Sequence, residues 1–321
     1  MKSCKNKIRI YFLGSGEIAV PILCAIENSN FFELVGIGTQ ADQPSGRKKK
    51  LQATAVGLWA ENNDIAVDKP DSVNKSSFLS KLEDLALDFI LVASFGQLLK
   101  GRILSLPEFG CINVHASLLP KYRGASPITM PILNGDASAG VTIMEMEKGL
   151  DTGPVFASYK LTLNGKENAQ KLELALGELA AQNIDDILLK IYSEELTPTP
   201  QNNSEFTYAG KIKKCDGEVH WGFPSVKIER MTRAYYPWPG AYFYLNVGNN
   251  KQKKIQITEA IVCRNEHEVE QGRIVKADKK CWIIACGTDA LEIKKLIPEG
   301  KKEMTGVEFL RGCQLVEGEY A

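Results

Sequence analysis

One short segment of the chain carries an amide and an imidazole at a spacing that could serve chemistry. Ile112 and Val114 alternate with Asn113 and His115, so a strand here would turn both polar side chains to the same face. An imidazole can act as a general acid or base, and a carboxamide can donate a hydrogen bond to a developing oxyanion. A histidine bonded within the core is the alternative, and this segment alone leaves both open.

A carboxylate follows the apolar run at residues 141–146, which has the pattern of a strand. Asp151 comes after this run, between Gly149 and Gly153, and therefore belongs to a loop at the end of the strand. Ligands of open α/β sheets bind beyond the carboxyl ends of the strands. We therefore expect Asn113, His115 and Asp151 to share one pocket.

The first half of the chain alternates patterns of strand and helix, which predicts an α/β domain with a mostly parallel, Rossmann-like sheet. The predicted strands are residues 8–13, 33–38, 88–93, 110–115 and 155–163. The predicted helices are residues 18–27, 53–62 and 168–192, the last with apolar residues at helical spacing.

The composition changes after residue 193. Residues 194–210 include a polar, Pro-rich stretch that we interpret as an inter-domain linker. A helix at 226–235 and short strand patterns at 255–262, 272–275, 282–285 and 290–296 follow, and they predict an OB-like β-barrel, a fold that commonly binds oligonucleotides. The predicted division is residues 1–193, a linker at 194–210, and residues 211–321.

The polar residues above belong to a long, unbroken series of motifs. The chain contains N-x-H at Asn113 and His115, then S-L-L-P-K-Y-R-G from Ser117 to Gly124, and later G-L-D-T-G around Asp151. Along nearly its whole length it resembles the folate-dependent formyltransferases, and most of all the members that act on methionyl-tRNA. The resemblance implies an enzyme that transfers a formyl group from 10-formyltetrahydrofolate to the α-amine of initiator methionyl-tRNA, for translation initiation. It also implies a C-terminal barrel that helps to bind the tRNA.

For this reaction we expect direct attack by the neutral amine, through a tetrahedral intermediate with a negative oxygen. Asn113 and His115 would stabilise that oxygen, each well-placed donor lowering the barrier by about 3 kcal/mol. Asp151 would orient His115 or a water molecule and accept the proton of the amine. No covalent intermediate on the enzyme is required, and we interpret Cys111 as a small buried hydrophobic residue.

Two further sets of residues are implied by the resemblance to hold the folate. One follows the predicted strand at 88–93, where an ordinary turn fits the residues equally well; it consists of Phe95, Gly96 and Gln97. The other lies beside His115 in sequence and consists of Ser117, Leu118, Leu119 and Pro120.

Clustered cations are the candidates for contact with nucleic acid. Arg47, Lys48, Lys49 and Lys50 follow a Pro/Ser/Gly-rich loop, where a solvated charge run is the alternative to phosphate binding. Relatives that act on tRNA carry a similar insertion that reaches the acceptor end, which would make Arg47 the specific contact and the lysines supporting charge. The second cluster, which could flank bound nucleic acid or end a solvated linker, consists of Lys211, Lys213 and Lys214.

A dinucleotide-binding pattern also occurs near the start of the chain. Gly14, Gly16 and Ala19 fit G-x-G-x-x-A, but the next predicted strand ends without the acidic residue that would hold a ribose, and we expect no NAD. In the family that the chain resembles, this turn is usually G-T-P-D-F; Gly16 stands in place of the proline and Ile18 in place of the phenylalanine.

Overall composition limits the other function classes. Lys+Arg and Asp+Glu are both 39, so a nucleic-acid partner requires a local basic surface. The eight cysteines lack paired spacing, which argues against zinc sites and disulfides, and we expect no metal. The first apolar run is too short for a signal peptide or a membrane span. We expect a monomer that works in the cytoplasm.

Two rival functions remain open on the residues. A formyltransferase acting on a nucleotide-sugar amine would share N-x-H, S-L-L-P-K-Y-R-G and the P-W-P-G-A segment of this chain, but a small acceptor would not need the basic loop that begins at Arg47. A non-catalytic RNA-binding protein would need the barrel and the basic loops, but not the Asn113, His115 and Asp151 set.

Overall fold

A computed structural model gives the architecture of residues 7–45, 50–246, 252–265, 268–313 and 315–321. The chain divides into two compact units. The first contains residues up to Ile128, Ser138–Thr162 and Leu172–Gly210, and the second contains Thr129–Ala137, Leu163–Lys171 and the chain from Lys211 onward. The expected linker thus groups with the first unit. The domain limits expected from the sequence stay a prediction.

The first unit is built on a mixed β-sheet. The strands described in this unit are β1 (Ile8–Gly14), β2 (Phe32–Gly38), β3 (Gln43–Ser45), β4 (Lys50–Gln52), β5 (Phe89–Ala93), β6 (Cys111–His115), β7 (Arg123–Gly124), β8 (Ser138–Glu145), β9 (Val155–Thr162) and β10 (Tyr208–Ala209). The main sheet has the order β2-β1-β5-β6-β8-β9. The pairs among β2, β1, β5 and β6 are parallel, whereas β8 is antiparallel to both β6 and β9.

Burial explains the order of the strands. All five residues of β5 and all five of β6 are buried, as expected for parallel strands covered on both faces.

The helices described in the chain are α1 (Ala19–Asn28), α2 (Ala55–Asn62), α3 (Ser76–Glu83), α4 (Thr129–Asn134), α5 (Ala169–Tyr192), α6 (Ser225–Ala234) and α7 (Gly306–Arg311). Helix α3 was missed by the sequence reasoning, because its apolar face consists only of Phe78, Leu79 and Leu82 among polar residues.

The second unit contains an antiparallel half-barrel. Its strands are β11 (Ala241–Asn246), β12 (Gln252–Cys263), β13 (Ile274–Ala277), β14 (Trp282–Ala285), β15 (Ala290–Pro298) and β16 (Met304–Thr305). They follow the order β11-β12-β15-β14-β13, with β16 beside β15. In the described residues the two outer strands, β11 and β13, do not pair with each other. The α/β class and the β-rich, OB-like C-terminal part are confirmed.

Strand β11 is absent from the strands expected from the sequence; it directly follows the P-W-P-G segment. The core behind the half-barrel includes Trp282, which is fully buried and stacks on Phe309 with ring centroids 5.3 Å apart. A bilayer-spanning helix is absent from the described part of the chain, since none there combines the length and the apolar character that spanning requires.

Strand β12 offers a matched test of this core, because Ile257 is 1% exposed and Ile261 is 47% exposed. We expect Ile257→Ala to lower the free energy of unfolding by about 2–4 kcal/mol, since it leaves a cavity in the core. Ile261→Ala should change it by less than about 0.5 kcal/mol. Urea unfolding followed by tryptophan fluorescence measures both, and equal effects would contradict the burial of Ile257 and the exposure of Ile261.

Candidate active site

Strand β6 brings Asn113 and His115 to one face in the middle of the sheet. The strand lies between β5 and β8, with Asn113 opposite Met144 and His115 opposite Thr142 on β8. Both polar side chains are largely buried, at 8% and 6% exposure. Because buried polar groups need partners, their contacts determine what this face can do.

The imidazole of His115 is oriented by a main-chain carbonyl. Its Nε2 lies 3.0 Å from the carbonyl oxygen of Tyr122. A carbonyl can only accept a hydrogen bond, so Nε2 carries the hydrogen and donates it. Tyr122 has a φ of 61°, in the left-handed region, within the turn that follows β6. The other ring nitrogen, Nδ1, is thereby directed away from this turn's carbonyl.

Asp151 faces that second nitrogen. Its Oδ2 lies 3.8 Å from Nδ1 of His115, which is beyond hydrogen-bonding distance. The same oxygen accepts a hydrogen bond of 2.8 Å from the main-chain N–H of Gly124. In this structure the Tyr122 carbonyl orients the imidazole through Nε2. The expected role of Asp151, to orient His115 or a water molecule, stays a prediction. A donor beside the two groups, at about 2.8 Å from each, could bond to both.

Gly124 makes this arrangement sterically feasible. Its φ is +119°, and a Cβ at this position would lie 2.6 Å from the carbonyl oxygen of Ala209. The close approach arises because β7 pairs in parallel with β10, placing Gly124 against Ala209. Only a residue without a side chain satisfies both the backbone conformation and the contact.

The carboxamide of Asn113 is available to a substrate. Within the described residues no other side chain or main-chain group makes a hydrogen bond to it, although the residue is largely buried. A buried amide without a protein partner costs free energy, so its two N–H donors are well suited to an oxygen of a bound molecule. The Asn113 amide therefore presents donors, whereas Nδ1 of His115 and Oδ2 of Asp151 present acceptors. Because its one hydrogen is bonded to Tyr122, the neutral imidazole has no donor left for the oxygen that we expected it to stabilise.

The four residues from Ser117 to Pro120 build the turn after β6. Ser117 Oγ donates a 2.6 Å hydrogen bond to the carbonyl of Lys121. Thr142 Oγ1 donates to the carbonyl of Ser117 and accepts from the N–H of Leu119. These bonds hold the turn to β8. These hydrogen bonds of Ser117 and Leu119 therefore stabilise the turn beside the site. The role of residues 117–120 in folate binding stays a prediction.

The other predicted folate set, residues 95–97, follows strand β5. Gly96 and Gln97 line a cavity of about 550 Å³, together with residues that include Gln40, Ser72 and Asn74. Asn113, His115, Asp151 and residues 117–120 are not among the residues that line this cavity, and the shared folate pocket stays a prediction.

The loop around Gly96 is held by amide side chains. Phe95 is 2% exposed and packs in the core, and its carbonyl accepts a 2.7 Å hydrogen bond from Gln40. The Gln97 amide accepts from the N–H of Val73 and donates to the carbonyl of Pro70. Gln97 therefore ties two loops together at the edge of the cavity.

The basic residues predicted to bind tRNA are described only in part. Arg47, Lys48 and Lys49 fall outside the described residues, and so does the side chain of Lys50, although its main chain pairs within the β3–β4 hairpin. In the second unit, the exposed basic residues of the predicted cluster are Lys211, Lys213 and Lys214. Partial burial, followed by the nearby charge of Lys214, lowers the pKa of Lys254.

The glycine-rich turn after β1 is closed by protein groups. The N–H groups of Ser15 and Gly16 donate to the carbonyl of Ser94, and that of Ile18 donates to the carboxylate of Glu173. Burial raises the pKa of the Glu173 carboxyl, an effect that the bond from Ile18 partly opposes. An anionic side chain thus lies where a dinucleotide phosphate would need these donors.

Cys111 lies two residues before Asn113 but is not a nucleophile in this site. Burial, followed by the charge of Glu145, raises the pKa of its thiol to about 12, which leaves very little thiolate at neutral pH. Among the described residues no group of three or more His, Cys, Asp and Glu side chains could hold a metal ion.

Three residues that position the site were not identified from the sequence. They are Tyr122, which acts through its main chain, and Gln201 and Thr207, which lie in the stretch that we interpreted as a linker. The Y-R-G motif indicated that the turn at Tyr122 matters. No pattern marks Gln201 or Thr207, because their partners are distant in sequence.

Comparison with known proteins identifies the class of this site. Residues 7–187 match the family described as "Formyl transferase", and residues 211–314 match "Formyl transferase, C-terminal domain". A solved N-formyltransferase from Helicobacter canadensis, in complex with folinic acid and dTDP-3-aminofucose, has a TM-score of 0.62 to this chain at 21% identity. The alignment covers 89% of this chain and 99% of that one, and at this identity it shows the fold alone. The fold and the site thus define a formyltransferase.

Relatives of higher identity narrow this class. A methionyl-tRNA formyltransferase from Nitrosomonas eutropha is 36% identical over 313 residues, covering 98% of this chain and 97% of that protein. One from Thermodesulfovibrio yellowstonii is 38% identical over 309 residues, covering 96% and 97%. The chain belongs to the methionyl-tRNA formyltransferase family, which confirms the resemblance read from its motifs.

Proposed function

We propose that this protein transfers the formyl group of 10-formyltetrahydrofolate to the α-amine of methionyl initiator tRNA. The observation that carries this proposal is the buried pair Asn113 and His115 facing Asp151, in a chain that aligns end to end with methionyl-tRNA formyltransferases. Because the acceptor is charged initiator tRNA, the reaction takes place where translation does, and we place it in the cytoplasm. A monomer remains our expectation, which light scattering of the purified protein would test.

The three side chains have separate roles in this proposal. 10-Formyltetrahydrofolate supplies the formyl carbon, and its N10 leaves with a proton when the bond to that carbon breaks. Asn113 donates its amide N–H to the formyl oxygen, which gains negative charge as the amine nitrogen bonds to the carbon. His115 Nδ1 and Asp151 Oδ2 lie 3.8 Å apart and receive the proton that the amine loses. The same proton is then returned to the leaving nitrogen, so the step is balanced.

The unpaired carboxamide of Asn113 supports this assignment. Its residue is 8% exposed, and donors in such a buried position act on developing charge more strongly than they would in water. The residues proposed to hold the folate are Phe95, Gly96, Gln97, Ser117, Leu118, Leu119 and Pro120. Of these, Gly96 and Gln97 line a cavity whose volume of about 550 Å³ is suited to a small-molecule ligand.

Contact with the tRNA is assigned to local basic groups, because the net charge of the chain is zero. We propose that residues 1–193 form the catalytic domain and residues 211–321 the tRNA-binding domain. Lys211, Lys213 and Lys214 are exposed on the second unit and would bind phosphates there. The basic loop would supply the other contacts through Arg47, Lys48, Lys49 and Lys50.

The first prediction concerns the transition state. His115→Ala and Asn113→Ala should each lower kcat at least about 100-fold with folate binding nearly unchanged, because both side chains act on charge that develops only during the attack. Asp151→Asn should be nearly as damaging, since it keeps the shape and loses the proton acceptor. Single-turnover formylation and folate titration measure the two effects separately. Near-normal turnover in any of these variants would remove that residue from the mechanism.

The second prediction separates a tRNA acceptor from a sugar-nucleotide acceptor. Replacing Arg47 and the three following lysines by serine should lower kcat/KM for methionyl-tRNA strongly, with the salt slope falling by about one unit per lost phosphate contact. Folate binding and the melting temperature should not change.

The experiment compares wild type and this variant on methionyl initiator tRNA and on an amino-sugar nucleotide, each with 10-formyltetrahydrofolate and over a salt series. Lys211→Ser, Lys213→Ser and Lys214→Ser serve as a second charge variant on the other unit. Formylation of the sugar nucleotide in preference to tRNA by the wild type would overturn the proposed acceptor.

A further inference from the structure

The segment expected to be a linker is bound to the active-site loops at both ends. Residues 199–209, here called the strap, belong to the first unit. Thr199 exchanges two main-chain hydrogen bonds of 2.8 Å with Val155, at the start of β9. At its other end the strap forms β10, which pairs with β7. A flexible spacer would not be held in this way, so the strap has a structural role beside the site.

Gln201 is the residue of the strap that reaches the Asp151 loop. Its Nε2 donates hydrogen bonds of 2.9 Å to the main-chain carbonyl of Asp151 and 2.7 Å to that of Gly153. Its Oε1 accepts from Nε and Nη2 of Arg123, at 3.0 and 2.8 Å. Both N–H donors and the acceptor of this amide are therefore used, which fixes its orientation.

Arg123 adds charge to this connection. Arg123 is 6% exposed, and in the described residues its guanidinium bonds to neutral side-chain oxygens. Its partners are neutral: Gln201, the Asn203 Oδ1 at 2.8 Å, and the ring of Phe206 at 5.5 Å. A cation bonded to an amide oxygen polarises that amide, so the N–H groups of Gln201 become stronger donors to the Asp151 loop.

The loop needs this support because of its conformation. Asp151 has a φ of 53°, which is uncommon and costs free energy for a residue with a side chain. Its carboxylate bonds to the N–H of Gly124, while its carbonyl bonds to Gln201. Gln201 does not contact the imidazole or the space beside it. Its effect on His115 can pass through Asp151, or through Arg123, which follows Tyr122 in the chain.

We propose that Gln201 is a positioning residue for formyl transfer: it holds the main chain of Asp151 so that the carboxylate stays beside Nδ1 of His115. This inference rests on the proposed function for the identity of the reaction. It assigns to the strap a role in catalysis in addition to its place between the two units in sequence. A displacement of about 1 Å in such a group can cost two orders of magnitude in rate.

A charge substitution at Gln201 separates its proposed positioning of the Asp151 loop from its hydrogen bonds to Arg123. Gln201→Glu keeps oxygens for Arg123 and adds a charge that strengthens that bond, but it removes both N–H donors to the Asp151 loop. Asn203→Ala does the reverse, since it removes one Arg123 partner and leaves the loop untouched. The two variants form a matched pair on the same guanidinium.

Steady-state kinetics with the full-length protein give the first readout. We expect Gln201→Glu to lower kcat at least about 10-fold, with the KM values for tRNA and folate changed less than about 3-fold. The melting temperature should fall somewhat, because two main-chain carbonyls lose their donors, while the protein stays folded at the assay temperature. Asn203→Ala should stay within about 2-fold of wild type. Wild-type turnover by Gln201→Glu, or equal losses in the two variants, would overturn the proposal.

A double-mutant cycle tests whether the effect passes through Asp151. In an Asp151→Asn background, Gln201→Glu should reduce the remaining rate by no more than about 2-fold, because the group that it positions has already lost its function. Losses that multiply would show that Gln201 acts independently of Asp151, which would contradict the proposal.

Hydrogen exchange supplies a readout that does not depend on the substrate. The Gly124 amide is bonded to Asp151, so its exchange should quicken at least about 10-fold in Gln201→Glu and stay unchanged in Asn203→Ala. Wild-type protein that formylates no methionyl-tRNA would refute the proposed function while leaving this result standing. Unchanged exchange at Gly124 in Gln201→Glu would refute the positioning role even in a fully active enzyme.

Discussion

The hydrogen bond from Nε2 of His115 to the carbonyl of Tyr122 is the interaction on which the rest of the site depends. It occupies one ring nitrogen of the imidazole and leaves Nδ1 as the nitrogen that faces Asp151. The carbonyl is correctly placed only because the chain turns sharply after β6, with Tyr122 in the left-handed region. An unpaired buried imidazole nitrogen would cost about 1–3 kcal/mol, so the turn also stabilises the strand that carries it.

The turn after β6 is itself held by hydrogen bonds to the strap. The N–H of Tyr122 donates to Thr207 Oγ1, and the N–H of Arg123 donates to the carbonyl of Thr207, both at 2.9 Å. Gly124 then lies close to Ala209, where no side chain fits, and its N–H reaches Asp151. The strap thus orients the histidine through Tyr122 and the aspartate through Gln201. One segment, distant in sequence from both, determines how the two groups meet.

Local sequence patterns predicted the parts of this architecture that depend on neighbouring residues. Alternation of polar and apolar residues placed Asn113 and His115 on one face, and the structure has them there in β6. The position of Asp151 after a strand followed from the apolar run before it. The contact from Gln201 to Asp151 spans 50 residues and uses a main-chain carbonyl, so no side-chain pattern records it. A Pro-rich, polar composition is typical of linkers, and only the three-dimensional pairing shows that this one belongs to the first unit.

The central claim is that the turn after β6 fixes the imidazole with its Nε2 protonated and its Nδ1 toward Asp151. Nitrogen NMR of the histidine rings in the full-length protein tests this most directly, with the His115→Gln variant identifying the resonances of this one of the three histidines. The account predicts that the His115 spectrum at neutral pH shows a hydrogen on Nε2. It also predicts that the nitrogen chemical shift of Nδ1 changes when Asp151 is replaced by asparagine. A ring with its hydrogen on Nδ1 and a bare Nε2 would contradict it.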